Sequence, residues 1–311
     1  MQPDASRFKP ALANSALALL WAIAALFLVS AVATAASPRL EDVIGELDAH
    51  VAVREDTLLD LALQYDLGYV EILAANPGID PWLPREGSFI VLPTMHVLPM
   101  AERRGIVINL AEMRLYWFPP GGQVVTMPIG IGSEGWSSPL GQTSIVRKRI
   151  NPTWVPPPSV RAEDPELPLS VPPGPDNPLG THALDLGWPA VVLHGTNRPY
   201  GIGRRVSHGC FRLSNAHAER LYREVPIGTV VRVVDQPVKV GWREGVLYLE
   251  VHPTQSQADE LERTGRMTDA PIPGLHEQIG RGVAGRHSEI DWAIVERAGR
   301  ERSGMPVRIT P

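Results

Sequence analysis

The sequence predicts a mainly β protein whose principal domain carries one or two helices, preceded by a small βααβ unit. Three observations carry this. Apolar runs of strand length recur from Gly105 to Val251, and one stretch among them, Ala216 to Glu224, has a clear helical period. Residues 50–93 hold two short helical periods between two strand-like segments. Ten prolines between Asn151 and Pro178 break the β region with a segment that reads as a long irregular loop.

The chain has 311 residues, 44% hydrophobic and 20% charged, which fits a folded protein of about two domains. Lys+Arg 29 against Asp+Glu 34 gives a net charge of −5, so there is no basic footprint and nucleic acid is not an expected partner. A single cysteine, Cys210, excludes an intramolecular disulfide framework and a Cys₄ or Cys₂His₂ zinc site.

Arg7 and Lys9 precede an apolar run from Ala11 to about Val32, followed by Ala33-Thr34-Ala35. A basic start, an apolar middle and small residues at the exit read as a signal peptide over residues 1–35, with an uncleaved inner-membrane anchor as the alternative. Either places the rest of the chain outside the cytoplasm, and the expected location is the periplasm.

In residues 50–93, Val51-Ala52-Val53 is a strand candidate and Asp56-Thr57 an N-cap signal for a helix from Leu58. Tyr69 to Ala75 gives a second helix, stopped by Asn76-Pro77, and Phe89 to Leu92 closes the unit as a strand. From Gly105, Ile106 to Leu110 and Met113 to Phe118 read as a hairpin, with Gln123 to Ile131 as a third strand. The proline-dense segment follows, and a loop of that length is usually a lid or a binding wall. Val191-Val192-Leu193 resumes β structure, and the helix from Ala216 has Ser214 or Asn215 as its cap and Pro226 beyond its end. Thr229 to Val234 is a strand that completes a domain of residues 103–236. Residues 237–253 form a hairpin extension turned at Glu244-Gly245, and residues 254–311 a polar tail with one helix from Ser288 to Ala298.

The chemistry gathers around the one cysteine. Leu193-His194-Gly195-Thr196-Asn197 is followed by Ser207-His208-Gly209-Cys210-Phe211-Arg212. A free thiol has a pKa near 8.5, so a neighbouring imidazole that takes its proton makes it a competent nucleophile and can later protonate a leaving group. Two histidines compete for that role: His208, two residues before the thiol, and His194, sixteen before it at the end of a strand candidate. His182 and His217 stand in weaker contexts. Gly209 lets a carbonyl approach the backbone N–H groups near the thiol.

These residues resemble the YkuD-type L,D-transpeptidase catalytic domain, whose signature is a histidine, a short gap, then Ser/Thr-His-Gly-Cys. Ser138-Pro139-Leu140-Gly141, Asn151-Pro152-Thr153-Trp154, Pro172-Pro173-Gly174-Pro175 and Pro199-Tyr200-Gly201-Ile202-Gly203 add to the likeness. Residues 50–93 are similar to a LysM module through Asp56-Thr57-Leu58, Asn76-Pro77 and Leu83, Gly87 and Pro93, with Glu55 where that family usually has glycine. The combination looks like the exported Gram-negative branch with an N-terminal LysM.

The resemblance implies a β-sandwich-like domain with Cys210 as nucleophile and His194 as proton acceptor and donor. His208 and Gly209 would shape the site and its oxyanion hole. Ser207, Gly195, Tyr200 and Arg212 would bind substrate, Arg212 through a carboxylate. It implies attack on the third residue of a peptidoglycan tetrapeptide stem, with meso-diaminopimelate expected there, and release of D-alanine. The acyl group passes to an amine of a second stem or of an outer-membrane lipoprotein, or to water in an L,D-carboxypeptidase. LysM would hold the enzyme on glycan strands. No cofactor or metal is implied. Rival readings are a cysteine wall endopeptidase or sortase, and a wall-binding protein without catalysis.

Overall fold

The computed structural model describes residues 41–283 and 289–311. The signal peptide read over residues 1–35 lies outside the described residues, as does the start of the helix expected from Ser288. Among the described residues no helix is long and apolar enough to cross a membrane.

The βααβ unit runs from strand β2 (Asp48–Val51) through helices α1 (Leu58–Gln64) and α2 (Tyr69–Ala75) to β3 (Phe89–Leu92), which pairs antiparallel with β2. Thr57 caps α1 by accepting from Asp60 N–H, and Asn76 Nδ2 ties the end of α2 to the Val91 carbonyl. Short strands β1 (Val43–Ile44) and β4 (His96–Val97) pair beside it. The unit shares a hydrophobic core with the principal domain. Buried Glu71 of α2 receives Arg114 Nε and Nη2 at 3.2 and 2.6 Å, a bidentate pair that fixes the unit to the sheet.

The principal domain is built from β5 (Gly105–Asn109), β6 (Arg114–Phe118), β7 (Val125–Pro128), β8 (Ile131–Gly132), β9 (Gly141–Ile150), β10 (His182–Leu186), β11 (Val192–His194), β12 (Arg205–Ser207), β13 (Phe211–Arg212) and β14 (Val230–Val234). Eight of these form one mixed, curled sheet in the order β13-β11-β10-β9-β14-β5-β6-β7. Ten-residue β9 makes the curl: Gly141–Ser144 pairs with β14 and Ile145–Ile150 with β10, across a register shift at Asp185/Leu186. The expected third strand of residues 123–131 ends at Pro128, because β8 leaves the sheet to pair in parallel with β12. Helix α4 (Asn215–Glu224), capped by Ser214, lays Ala218 and Leu221 on the core.

Two expectations are corrected. The proline-rich segment is not wholly irregular: it holds helix α3 (Pro158–Glu163), with Pro158 at a first-turn position where a missing N–H costs nothing. Residues 254–311 are not a bare tail. They form α5 (Gln255–Thr264), α6 (Leu275–Val283), α7 (Trp292–Glu301) and β17 (Val307–Arg308), which pairs with the hairpin of β15 (Val238–Arg243) and β16 (Val246–Val251). Leu275, Ile279, Val295, Ala298 and Ile309 close a second core on that hairpin.

Asn177 is the most heavily bonded side chain of the proline segment. Fully buried Asn177 donates from Nδ2 towards the Pro152, Val171 and Pro172 carbonyls at 2.8–3.0 Å and accepts from Leu179 N–H. Asn177→Leu leaves the Pro152 and Pro172 carbonyls and Leu179 N–H unpaired, while the Val171 carbonyl keeps Trp154 N–H, so urea unfolding is expected to report a loss of about 2–3 kcal/mol. An unchanged midpoint would show that the segment is held elsewhere.

Candidate active site

Adjacent parallel strands bring the cysteine and the first histidine together. β11 ends in His194, β13 begins just after Cys210, and the register sets Leu193 beside Phe211 and His194 beside Arg212. His194 is buried, and its Nδ1 donates to the Gly195 carbonyl at 2.5 Å. That bond assigns the proton to Nδ1 and leaves Nε2 as the acceptor. Burial, with the charges of Arg212 and Arg149, holds the imidazole at about 4 against the opposing pull of the Gly195 carbonyl. At neutral pH the ring is therefore uncharged.

The Cys210 thiol is partly open to the cleft but closely surrounded by protein, and this burial raises its pKa despite a backbone contact from Val192 and the nearby Arg212 charge. Its Sγ donates to the Ala190 carbonyl at 3.3 Å. At rest the pair is a neutral thiol and a neutral imidazole, so the imidazole does not lower the resting thiol pKa; proton transfer must accompany attack.

Gly209 has φ +94°, a conformation that favours glycine, and its carbonyl accepts from buried Ser138 Oγ at 3.1 Å. Ser207 Oγ donates to the Cys210 carbonyl at 2.6 Å. These bonds fix the peptide units on either side of the thiol. His208 lies at the rim, half exposed, with Nε2 3.2 Å from Glu163 Oε2 and its ring edge-on to Trp136.

Two clefts, about 620 and 490 Å³, meet at Cys210 and share Trp154, Trp188 and Ala190 in their walls. The smaller one also takes in His194, Ser207, His208, Gly209 and Arg212. The larger is flanked by Arg147 and Arg149, which both pair with Asp185 at 2.6 Å. Arg212 Nε is buried without a protein partner, and desolvation together with Arg198 lowers its pKa. A half-buried guanidinium on a cleft wall, with its Nε unpaired, is a ready partner for a carboxylate.

Gly195 and Tyr200 are not among the cleft-lining residues. Gly195 packs against Asn215, whose Oδ1 would lie 2.2 Å from a Cβ there, and Tyr200 stands half exposed in a 3₁₀ turn (Pro199–Gly201). The His182 ring meets Tyr222 at a tilt, with centroids 5.1 Å apart, and His217 pairs with Asp66 at 3.4 Å. Trp136, Trp154, Glu163 and Trp188 line or brace the clefts; Trp154 and Glu163 belong to the proline-rich segment expected to form a lid or binding wall, and nothing in the sequence marks Trp136 or Trp188.

Among the described residues one buried cluster has metal-ligand residue types: His96, Glu112 and Glu250 offer atoms within 4.8 Å of one another. Lys239 Nζ already sits between the two carboxylates, at 2.7 Å from Glu112 and 2.8 Å from Glu250. The ammonium fills the cation position.

A curled mixed sheet carrying a cysteine–histidine pair where two clefts meet defines a cysteine acyl-transfer type of domain. Residues 103–234 match the YkuD family model, described as the L,D-transpeptidase catalytic domain. "Probable L,D-transpeptidase YbiS" of Escherichia coli strain K12 is 41% identical over 255 residues, covering 80% of this chain and 81% of the relative. "Probable L,D-transpeptidase ErfK/SrfK" of the same strain is 42% identical over 257 residues, with 80% and 81% covered. "Probable L,D-transpeptidase YcfS", also of that strain, is 38% identical over 277 residues, with 86% and 84% covered. The chain belongs to the YkuD-type L,D-transpeptidase family.

Proposed function

We propose that the protein is a peptidoglycan L,D-transpeptidase that uses Cys210 as its nucleophile and His194 as general base and acid. The observation that carries this reading is the Cys210–His194 pair, Cys210 leading into the strand beside the one that ends in His194, with the imidazole tautomer fixed and Nε2 free to accept. As Sγ attacks the carbonyl of the third stem residue, meso-diaminopimelate in this reading, its proton passes to His194 Nε2. Backbone N–H groups of Gly209 and Cys210 face the developing oxyanion. His194 then protonates the departing D-alanine amine, leaving a thioester. An acceptor amine loses a proton to His194, attacks the thioester and regenerates the thiol. The acceptor is a second stem, giving a 3→3 cross-link, or a lysine of an outer-membrane lipoprotein. Water in its place would make an L,D-carboxypeptidase, the second reading, which the partly open thiol also permits.

Arg212 binds a stem carboxylate in this reading. Arg212→Lys, which keeps charge but loses the planar fork, is expected to raise KM about tenfold with a smaller change in kcat. The βααβ unit serves as a LysM module that holds the enzyme on glycan strands, and residues 1–35 direct export to the periplasm.

The direct test is incubation with disaccharide-tetrapeptide, following D-alanine release and cross-linked dimer by mass. Absence of both, and of any lipoprotein adduct, would reject the reading. Single-turnover acylation supplies a pH test. Because His194 must be neutral to accept, and titrates at about 4, the acid limb is expected near pH 4 with a plateau through neutrality. An acid limb near 6.5 would mean that an imidazole with an ordinary pKa acts as the base.

A further inference from the structure

Glu163 is the last residue of α3 and reaches two rings from separate segments at once. Its Oε1 accepts from Trp136 Nε1 at 2.8 Å, and its Oε2 meets His208 Nε2 at 3.2 Å. The rings themselves meet edge-on, with centroids 4.9 Å apart. Trp136 comes from the turn between β8 and β9, His208 from the Ser-His-Gly-Cys segment, and Glu163 from the proline-rich segment. Trp136, His208 and three α3-side residues, Pro157, Ser159 and Val160, all line the smaller Cys210 cleft. One carboxylate thus ties the segment over the cleft to the strand connection that carries the thiol.

This contact is a poor candidate for fold stabilisation. The Glu163 and His208 side chains are 53% and 44% exposed, and exposed pairs add little to stability. Of α3, only Val160 is buried. The segment's anchor is Asn177, near its far end. What Glu163 adds is position: without it, nothing among the described contacts joins the α3 end to His208 or Trp136.

We propose that Glu163 is a positioning residue, a latch that holds α3 against Trp136 and His208 and so sets how the Cys210 thioester divides between an amine and water. The proposal rests on the thioester mechanism above. With an amine, the acyl carbon–sulfur bond breaks, an amide forms, and the amine's proton ends on the thiol. With water, the same bond breaks, a carboxylic acid forms, and the thiol is again regenerated. Both routes balance, so the outcome depends on which nucleophile reaches the acyl carbon. A latched α3 narrows the smaller cleft against bulk water, while the larger cleft that also meets Cys210 stays available to an acceptor stem.

The experiment uses the protein with disaccharide-tetrapeptide at a concentration where wild type forms dimer, and measures D-alanine, hydrolysed tripeptide and dimer together. Glu163→Ala is expected to raise the tripeptide-to-dimer ratio about fivefold, with D-alanine release within about twofold and the urea midpoint unchanged. Glu163→Gln, which keeps an acceptor for Trp136 Nε1, is expected to restore part of the wild-type ratio. Trp136→Phe removes the donor to Oε1 and should shift the ratio the same way, with no further shift when combined with Glu163→Ala. An unchanged ratio in Glu163→Ala, or a parallel fall in D-alanine release and both products, overturns the latch while leaving the transpeptidase reading intact. No D-alanine release from wild type overturns both.

Discussion

Cys210→Ala is expected to reduce D-alanine release by about 10⁴-fold or more while leaving the fold in place. The two halves of that result have separate causes. Covalent catalysis needs a nucleophile at this position, and the remaining cleft can only orient the stem and face its carbonyl with N–H groups. The structural cost is small because the thiol is partly exposed and gives up only weak backbone contacts, to the Ala190 carbonyl at 3.3 Å and from Val192. Urea unfolding should therefore move by about 1 kcal/mol or less. Cys210→Ser is expected to be nearly as inactive. A hydroxyl is far less acidic than a thiol, and an imidazole held at about 4 is a weak base for it. Retention of activity in the alanine variant would remove Cys210 from the mechanism. Loss of activity accompanied by unfolding would instead make the cysteine structural.

The core of the site could be read from the chain because its parts are nearly contiguous. Ser207-His208-Gly209-Cys210 is one turn, and His194 closes a recognisable apolar strand. Spacing alone leaves His194 and His208 as rivals, and the family resemblance implies His194. Burial and a fixed tautomer distinguish the first, and a rim contact to Glu163 the second. Glu163, Trp136 and Trp188 carry no local pattern that marks them, since only the tertiary fold brings three loops to one rim. The same reason explains the missed strands. β9 reads Gly141-Gln142-Thr143-Ser144-Ile145-Val146-Arg147-Lys148-Arg149-Ile150 and buries only Ile145. Pairing with strands on both sides sets its conformation rather than an apolar face. β10 is interrupted by Asp185, which turns out to be the partner of Arg147 and Arg149. The C-terminal helices were obscured differently. Their apolar residues are sparse; α6 and α7 bury them against a hairpin that comes earlier in the chain, and α5 buries Ala258 and Leu261 in the main core.

Lys239→Met is expected to cost about 3–5 kcal/mol at neutral pH, a large share of an ordinary domain's stability. Lys239 is fully buried between Glu112 and Glu250, and Tyr116 Oη donates to the same Glu112 oxygen at 2.7 Å. Val97 N–H and His252 bind Glu250 as well. These groups come from the turn of the β5–β6 hairpin, from β4 and from the β15–β16 hairpin, so the ammonium joins the catalytic sheet to the C-terminal region. Burial alone would raise the Glu250 carboxyl; Lys239 and His252 outweigh it and keep its pKa below the ordinary value. Its contribution is therefore present above about pH 4.3 and lost as pH falls through the folded value. Without Lys239 the balance tips towards burial, the carboxyl rises, and stability is lost as pH climbs instead. The gap between variant and wild type should then be widest at neutral pH and shrink below about pH 4, as read from urea midpoints at both. If Lys239→Met does not fold at pH 7, Glu112→Gln, which removes one of the two charges the ammonium balances, provides a milder second measurement. None of these residues lines either Cys210 cleft, so activity per folded molecule should hold. A pH-independent gap would show that Lys239 acts through packing rather than through its charge.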